Sequence, residues 1–367
     1  MVGEGLRSKT RIPYIEGTKP SYKNAQLLVS TGIPSLDYTI GGGLPIGSIL
    51  LVEEDTYGTY AHAVQKYFIA EGIVCKHPLF VASRDTDPSS LLSELPAPIA
   101  DPTLQPEVRS MQDESMKIAW RYQNLRTVDS SPTGGHVFGH FYDLTKSMNQ
   151  EIIDEANITQ WYEPEMNANR QDFENAAYED LLKSIAKTLK DGKFFVSDEP
   201  DKRNVLRISI SSLGSRLWFC DSEESTHKDI LKFLYGLKAL LRHSFSLAMI
   251  SVPVENFDNV DKFVERMEHL SDIAIGLESF AGSAKETNPL FKDYHGLVHI
   301  KKLRTFNILA PHTPESRDLA FKLRRKKFVI EILHLPPDLG DTVQREQDET
   351  ATMGGCSAGG RKNLLDF

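Results

Sequence analysis

The segment TGIPSLDYTIGGGLPIGSILLVEED, residues 31–55, is the most specific stretch in the chain. Its glycine run at 41–43, followed by Leu44, Pro45 and Gly47, predicts a tight turn that leads into a sheet. The next residues, GSILLVEE (47–54), are short and apolar, with glycines before them and polar residues after them. This pattern is typical of a buried parallel strand.

A helix is predicted from about Tyr60 to Gly72, with an apolar inner side and a glycine at its end. Strand, loop and helix together form the frame of a phosphate-binding loop. The loop in question covers residues 53–60, EEDTYGTY.

A phosphate-binding loop of the GxxxxGK[ST] type needs glycines for close approach to phosphate, a lysine for the phosphate charge and a hydroxyl for magnesium. In this alignment Glu53 replaces the first glycine and Gly58 keeps the second. Thr59 replaces the lysine and Tyr60 replaces the Ser or Thr. Three of the four features are therefore missing.

The acidic residues of the loop also oppose phosphate. Glu53, Glu54 and Asp55 place carboxylates where phosphate charges would lie. Helix amides near Gly58 could still favour an anion, but only weakly, because the three acids lie beside them. We therefore predict a structural or interface role for the loop, with a hydrolytic site as the alternative. A neighbouring subunit's arginine pairing with one of the acids is a further hypothesis.

Two other parts of a hydrolytic site are also absent from the sequence. The acid that holds magnesium at the end of a middle strand would fall at Ser211 or Ser212. The glutamate that polarises the attacking water has only the shorter Asp85 or Asp87 as a counterpart. An exposed acid in such a loop is also expected simply to be solvated.

The remaining pattern alternates strands and helices, which predicts an α/β fold. The predicted class is a RecA-like (P-loop NTPase type), mostly parallel sheet with helices on both faces and added C-terminal edge strands. Residues 1–25 are predicted to be a flexible arm and 341–367 a flexible tail, around a RecA-like domain at 26–340. Its region 85–200 is rich in insertions, either packed on the core or exposed as a platform.

The predicted strands after the loop are 78–83, 116–125, 205–213, 246–254, 273–280, 296–303 and 326–335. The predicted helices are 144–156, 170–192, 227–245 and 260–272.

The segment at 31–55 resembles the entry segment of RecA and KaiC-type domains. Together with IAWRYQ (118–123), FGHFYDLTK (138–146), GLESFAGSAKETNPLFKDYHGLVHI (276–300) and LHLPPDL (333–339), it resembles the PAXNEB family of Elongator subunits. The resemblance runs from about residue 17 to 340 and extends to the closing LDF. The two motifs at 276–300 and 333–339 make it specific.

The resemblance implies a hexameric ring of RecA-like folds, formed with the fifth and sixth Elongator proteins. Such a ring binds tRNA and assists the catalytic Elongator subcomplex in modifying the wobble uridine, U34. The phosphate loop of the family is likewise degenerate, so Glu53, Thr59 and Tyr60 agree with membership. No cofactor is predicted for the chain itself, and ATP at the interfaces between ring subunits is the alternative.

Two basic clusters stand out in an acidic chain. RNA phosphate would favour both clusters. The alternative is a solvated face, in which charges just before an edge strand discourage edge pairing. The first cluster is Lys301, Lys302 and Arg304, and the second is Lys322, Arg324, Arg325, Lys326 and Lys327.

Aromatic and histidine residues give further candidates. Base stacking is one use of these aromatic residues, and core packing or interface anchoring is the use that we favour. His295, His299 and His312 lack the spacing of a zinc helix and lie near no cysteine pair, so no metal site is predicted. The candidates for such a stacking platform are Trp120, Arg121, Tyr122, His140 and Tyr142.

Composition limits the class of protein. The formal net charge is −9, with 40% hydrophobic and 25% charged residues, so nucleic-acid contact requires a local basic patch. The 3 cysteines are widely spaced, and no apolar run suggests a signal or a membrane span. We expect a cytoplasmic and nuclear protein without membrane contact. Two alternatives stay open: an active nucleotide-driven motor acting on DNA, and a pure assembly scaffold.

Overall fold

The computed structural model describes residues 14–21, 26–99, 138–162, 172–257, 262–303, 312–324 and 327–333. Its strands are β1 (Thr18–Pro20), β2 (Leu27–Val29), β3 (Leu44–Pro45), β4 (Ile49–Glu53), β5 (Leu79–Ala82), β6 (Pro96–Pro98), β7 (Tyr142–Ser147), β8 (Ile158–Trp161), β9 (Leu206–Ile210), β10 (Ser246–Val252), β11 (Ile273–Ser279), β12 (Gly296–Leu303), β13 (Leu319–Arg324) and β14 (Lys327–Ile332). Its helices are α1 (Pro34–Thr39), α2 (Thr59–Val74), α3 (Pro88–Ser93), α4 (Gln150–Asp154), α5 (Ala176–Asp191), α6 (Glu223–Arg242) and α7 (Phe263–Leu270).

A nine-stranded sheet carries the fold, in the order β14-β13-β12-β11-β4-β10-β9-β5-β8. The six strands from β11 to β8 are parallel to one another, whereas β12, β13 and β14 extend the sheet from β11 by antiparallel pairs. Strand β4 lies between β10 and β11, and β9 and β5 follow on the far side of β10. This is the RecA-like order, so the predicted fold class is confirmed.

Strand β4 is buried on both faces. Ile49 and Leu51 join the core formed with helices α5, α6 and α7, and Leu50 and Val52 join the core formed with α2. Helices therefore cover both faces, as predicted, and the loop after β4 emerges at the carboxyl edge of the parallel strands.

The segment at 31–43 feeds the chain into this sheet through a small three-stranded sheet, β1-β2-β3. Gly43 has a φ of 128°, and a Cβ there would lie 2.6 Å from the carbonyl oxygen of Val29. Asp37 anchors the turn, because its carboxylate accepts bonds from the Ser30 hydroxyl at 2.5 Å and the Thr31 amide at 2.8 Å. Burial raises the pKa of Asp37 to about 6.

Several predicted boundaries differ from the structure. The predicted helix at 144–156 is wrong in its first part, where β7 runs to Ser147 and only α4 is helical. Strand β1 and the buried Ile15 lie in the segment predicted to be a flexible arm. The predicted strand at 116–125 lies outside the described residues.

Two strands of the nine-stranded sheet, β8 and β13, were missed by the sequence prediction. Strand β8 is only four residues long, and two of its side chains, Thr159 and Gln160, are exposed, so it has no apolar pattern. Strand β13 contains Lys322 and Arg324, which were predicted to precede an edge strand. The charges lie within a hairpin, because β13 pairs with β14 from Leu319 to Arg324. Among the described helices, none is long and apolar enough to cross a membrane.

Candidate functional site

The loop between β4 and α2 turns sharply before the helix begins. Gly58 precedes the first residue of α2 with a φ of 66°, and its amide donates to the Asp55 carbonyl at 2.7 Å. The left-handed conformation explains why a glycine lies here. The backbone thus keeps the strand, loop and helix geometry expected from the sequence.

Asp55 occupies the anion position at the start of α2. Its Oδ1 accepts the amides of Tyr60 at 2.9 Å and Ala61 at 3.0 Å, and the residue is 4% exposed. Free amides and the helix dipole favour negative charge at this position. A carboxylate of the chain itself therefore uses the amides that a bound phosphate would use in an active loop.

Glu54 is held by two hydroxyl groups, one from Ser251 near the end of β10 and one from Ser212 after β9. Its Oε1 accepts from Ser212 Oγ at 2.8 Å and from Ser251 Oγ at 2.6 Å. Burial raises the pKa of Glu54, and these two bonds act in the opposite direction. Ser212 has a φ of 47°, and its amide donates to Ser251 Oγ at 2.9 Å, so the serine cluster fixes an unusual backbone conformation.

Glu53 ends strand β4 and is 6% exposed. Its Oε2 lies 3.4 Å from the Lys301 ammonium on β12, and its Oε1 has no hydrogen-bond partner among the described residues. Burial, and then the neighbouring Glu268 carboxyl, raise the pKa of Glu53 to about 7, against the effect of Lys301. Burial and a second carboxyl group nearby both disfavour a negative charge on Glu53, so its neutral form is favoured.

The positions of the missing lysine and hydroxyl have other roles. Thr59 is exposed at the first position of α2. Tyr60 packs against the C-terminal hairpin, with its ring centroid 4.6 Å from that of Phe321 and 6.4 Å from that of Phe328. Aromatic packing therefore replaces a magnesium ligand at residue 60.

Ser211 and Asp85 lie at the same sheet edge but form separate local bonds. Ser211 Oγ donates to Gln65 Oε1 at 3.0 Å, and Gln65 Nε2 donates to the Ile210 carbonyl at 2.9 Å. Asp85 is exposed and accepts from Ser215 Oγ at 2.7 Å. The strand end that would carry a magnesium-binding acid instead ties β9 to helix α2.

The structure separates the predicted basic residues. Lys301 faces Glu53, whereas Lys302 Nζ donates to three carbonyls at the end of α7, those of Glu268, His269 and Ser271, at 2.7 to 3.0 Å. Such bonds satisfy the last carbonyls of a helix.

The second basic cluster is only partly described. Lys322 forms an ion pair with Glu331 across the hairpin, and the Lys327 ammonium lies 4.6 Å from the Phe141 ring centroid. Arg324 belongs to β13, and Arg304, Arg325 and Lys326 lie outside the described residues.

Of the predicted aromatic candidates, Tyr142 is in the core. It is 1% exposed and donates to Glu71 Oε2 at 2.6 Å, so it does not offer a face to a base. His140 contacts the same carboxylate through Nδ1 at 3.2 Å. Trp120, Arg121 and Tyr122 lie outside the described residues.

The other three histidines considered in the sequence each bond to a different partner. His299 bonds to Glu278 at 2.7 Å, His312 to the Thr39 carbonyl at 3.1 Å, and His295 accepts the Leu323 amide at 3.4 Å. They therefore do not share a ligand site.

Exposed apolar side chains at the carboxyl edge were missed by sequence reasoning. Tyr57 in the loop is 66% exposed, and Leu217 and Phe219, which follow β9, are 53% and 38% exposed. Arg84, which follows β5, donates to the Leu217 carbonyl. Only the placement of two separate loops at one sheet edge connects these residues, and no spacing in the sequence shows it.

Comparison with known proteins decides the family. The sequence profile of the PAXNEB protein family matches residues 11–367. The chain belongs to the PAXNEB family. A relative from Xenopus laevis, named Elongator complex protein 4, is 45% identical, with 100% of this chain and 96% of that protein covered.

Other relatives carry the same name. The Homo sapiens protein is 44% identical, with 98% of this chain and 90% of that protein covered. The Drosophila melanogaster protein is 34% identical, with 96% of each chain covered. Among solved structures, a KaiC-like protein from Pyrococcus horikoshii OT3 is 15% identical with a TM-score of 0.47, covering 83% of this chain and 98% of that chain.

Proposed function

We propose that this chain is an Elongator subunit that retains a RecA-like fold for assembly and has little or no ATP hydrolysis of its own. It forms a hexameric ring with the fifth and sixth Elongator proteins, and the ring binds tRNA and supports modification of the wobble uridine by the catalytic subcomplex. The relatives named Elongator complex protein 4 support membership of the complex.

The occupied anion position carries the proposal about ATP. Asp55 already uses the amides of Tyr60 and Ala61, with its charge where a phosphate would bind. Thr59 and Tyr60 supply neither a lysine nor a magnesium ligand of the usual kind. A nucleotide would have to displace a buried carboxylate without any compensating cation from these positions.

The exposed carboxyl edge supports the proposal about assembly. RecA-like rings place this edge between subunits, and Tyr57, Leu217 and Phe219 are apolar groups on it. Glu54 and Asp55 are already bonded within the chain, so we assign the neighbour's contact to these three residues rather than to an arginine that pairs with the acids.

The test of assembly uses Tyr57→Ser with Leu217→Ser in a complex of all three ring subunits. Both side chains are more than half exposed, so the subunit should still fold. The hexamer should be weaker and should dissociate at protein concentrations at which the wild-type hexamer stays intact. Tyr235→Ser with Val196→Ser, which are 69% and 60% exposed elsewhere on the molecule, is the matched control. Native mass measurement of the complex checks the result, and an unchanged hexamer would contradict this interface.

The tRNA part of the proposal rests on the basic residues between and within β13 and β14. Arg324, Arg325 and Lys326 are three consecutive cationic residues of this cluster, and RNA phosphate is their proposed partner. Neutralising the three in the assembled ring should weaken tRNA binding and reduce its salt dependence. Neutralising Lys187, Lys190 and Lys193, exposed residues at and after the end of α5, is the control with equal charge loss.

Equal tRNA affinity in both variants would remove the second basic cluster from the proposal. A wild-type ring that does not bind tRNA would favour a pure scaffold. ATP-driven movement of the ring on DNA would favour a motor. We place the chain in the cytoplasm and nucleus, where tRNA is made and modified, and fluorescence localisation tests this placement.

A further inference from the structure

Three potential metal ligands converge at the end of α2, away from the phosphate loop. Glu71 and Cys75 are one helical turn apart, and His140 approaches them from the segment before β7. One ligand atom from each residue lies within 4.8 Å of the others. Glu71 Oε1 is 3.4 Å from Cys75 Sγ and 3.2 Å from His140 Nδ1.

Two glycines let the backbone approach this cluster. A Cβ on Gly139 would lie 2.2 Å from Ser30 Oγ, and Gly139 has a φ of 89°. A Cβ on Gly17 would lie 2.6 Å from Cys75 Cβ, and Gly17 has a φ of 69°. Both positions require glycine for His140 and Cys75 to remain where they are.

We propose that Glu71, Cys75 and His140 bind a divalent transition-metal ion of the zinc type. Thiolate, imidazole and carboxylate are the ligands that zinc takes in proteins, and ligand atoms separated by 3.2 to 3.4 Å can surround one ion. The His140 side chain is 49% exposed, which gives the ion a path from solvent and leaves a coordination position for water.

The surroundings support the ligands on the side away from the ion. Glu71 Oε2 accepts from the Tyr142 hydroxyl at 2.6 Å and from the His140 amide at 3.1 Å, so the carboxylate is held while Oε1 binds. Binding exchanges protons: the Cys75 thiol releases one to solvent, and His140 carries its remaining proton on Nε2. No electrons are transferred.

One cation opposes the ion. Arg207 is fully buried, and its positive charge acts on both Glu71 and Cys75. We therefore expect an exchangeable ion rather than one on which folding depends. Without an ion, the same three side chains form a hydrogen-bonded cluster, and this is the alternative that the experiment distinguishes.

The test is a titration of the full-length, reduced, chelator-treated chain with Co²⁺, followed by absorption. Cobalt reports a bound thiolate by a charge-transfer band in the near ultraviolet. The chain contains 3 cysteines, so the titration compares C75S with the double variant C220S/C356S, which retains Cys75 alone. The expected result is a saturable band of one ion per chain in the wild type and in the double variant, and no band in C75S.

His140→Gln provides a second variant, because this half-exposed side chain can change without opening the core. It should fold normally and bind Co²⁺ at least about tenfold more weakly, because one of the three ligands is lost. Zn²⁺ should displace Co²⁺ and remove the band. A band that persists in C75S, disappears in C220S/C356S, or is absent from the wild type would overturn the proposal. An unchanged Co²⁺ affinity in H140Q would also overturn it, even if C75S does not fold.

Discussion

Asp55 shows how one residue can alter the chemistry of a loop while its backbone shape remains. The carboxylate satisfies two amides at the start of α2, which otherwise would need water or an anion. It also places negative charge at the positive end of the helix dipole. The same side chain that stabilises the helix therefore competes with phosphate.

We predict that Asp55→Ala lowers the free energy of unfolding by about 2 kcal/mol, the range for losing charge-assisted bonds to buried amides. Asp55→Asn should lose less, because its amide oxygen still accepts both bonds. Denaturant unfolding of the full chain measures the difference. Asp87→Ala, which removes an exposed side-chain bond to the Ser89 amide at α3, is the control, and a cost for Asp55→Ala no larger than this would contradict the account.

Glu53 predicts a dependence of stability on pH. Its pKa rises from 4.5 to about 7 in the folded chain, so the native state binds the proton more tightly than the unfolded state. The free energy of unfolding should therefore fall as the pH rises from the lower value through the higher one. The loss is on the order of 3 kcal/mol, since the two pKa values differ by about 2.5 and each unit of pKa difference corresponds to about 1.4 kcal/mol.

Glu53→Gln keeps the shape of the side chain and cannot ionise, so it should remove this part of the pH dependence. Thermal or denaturant unfolding across the pH range measures it. Glu265→Gln, at an exposed position on α7, should leave the slope as in the wild type. An unchanged slope in Glu53→Gln would show that this carboxyl is not the titrating group.

At the scale of elements, the C-terminal hairpin of β13 and β14 is connected to the start of α2 through Tyr60. The ring of Tyr60 lies over Phe321 and near Phe328, and these two rings stack at a centroid distance of 5.3 Å. The antiparallel addition to the sheet is thus part of the core beside the loop. The hairpin stabilises the conformation of the loop, so no nucleotide is needed to order it.

Tyr60→Thr, which introduces a hydroxyl of the kind found in active loops, should lower the free energy of unfolding by about 2 kcal/mol because ring contacts are lost. Tyr57→Thr in the same loop is the matched control, since Tyr57 is 66% exposed and should cost little. Denaturant unfolding separates the two. Equal losses would mean that Tyr60 does not connect the hairpin to α2.

The strongly patterned elements could be predicted from the sequence, and the reasons are physical. Strand β4 and helix α2 were predicted because burial on both faces imposes an apolar run, and a positive φ imposes Gly58. Strand β8 was missed because it lies at the sheet edge with polar exposed residues. The same polarity concealed β13, whose Lys322 pairs with Glu331 across the hairpin.

The site was predictable in residue identity but not in geometry. The absence of a lysine at Thr59 is visible in the sequence, whereas the bond from Asp55 back to the helix amides requires the loop conformation. The cluster of Glu71, Cys75 and His140 had one local signal, the helical spacing of its first two members. Its third member is distant in sequence and is placed there by the fold.

At the scale of the whole molecule, a RecA-like sheet is combined with a loop that is already filled by the chain's own side chains. We propose that this chain contributes structure rather than ATP hydrolysis to its complex. Calorimetric titration of the full-length chain with magnesium ATP tests this proposal most directly. We predict no saturable heat of binding, while one site per chain that also hydrolyses ATP would contradict it.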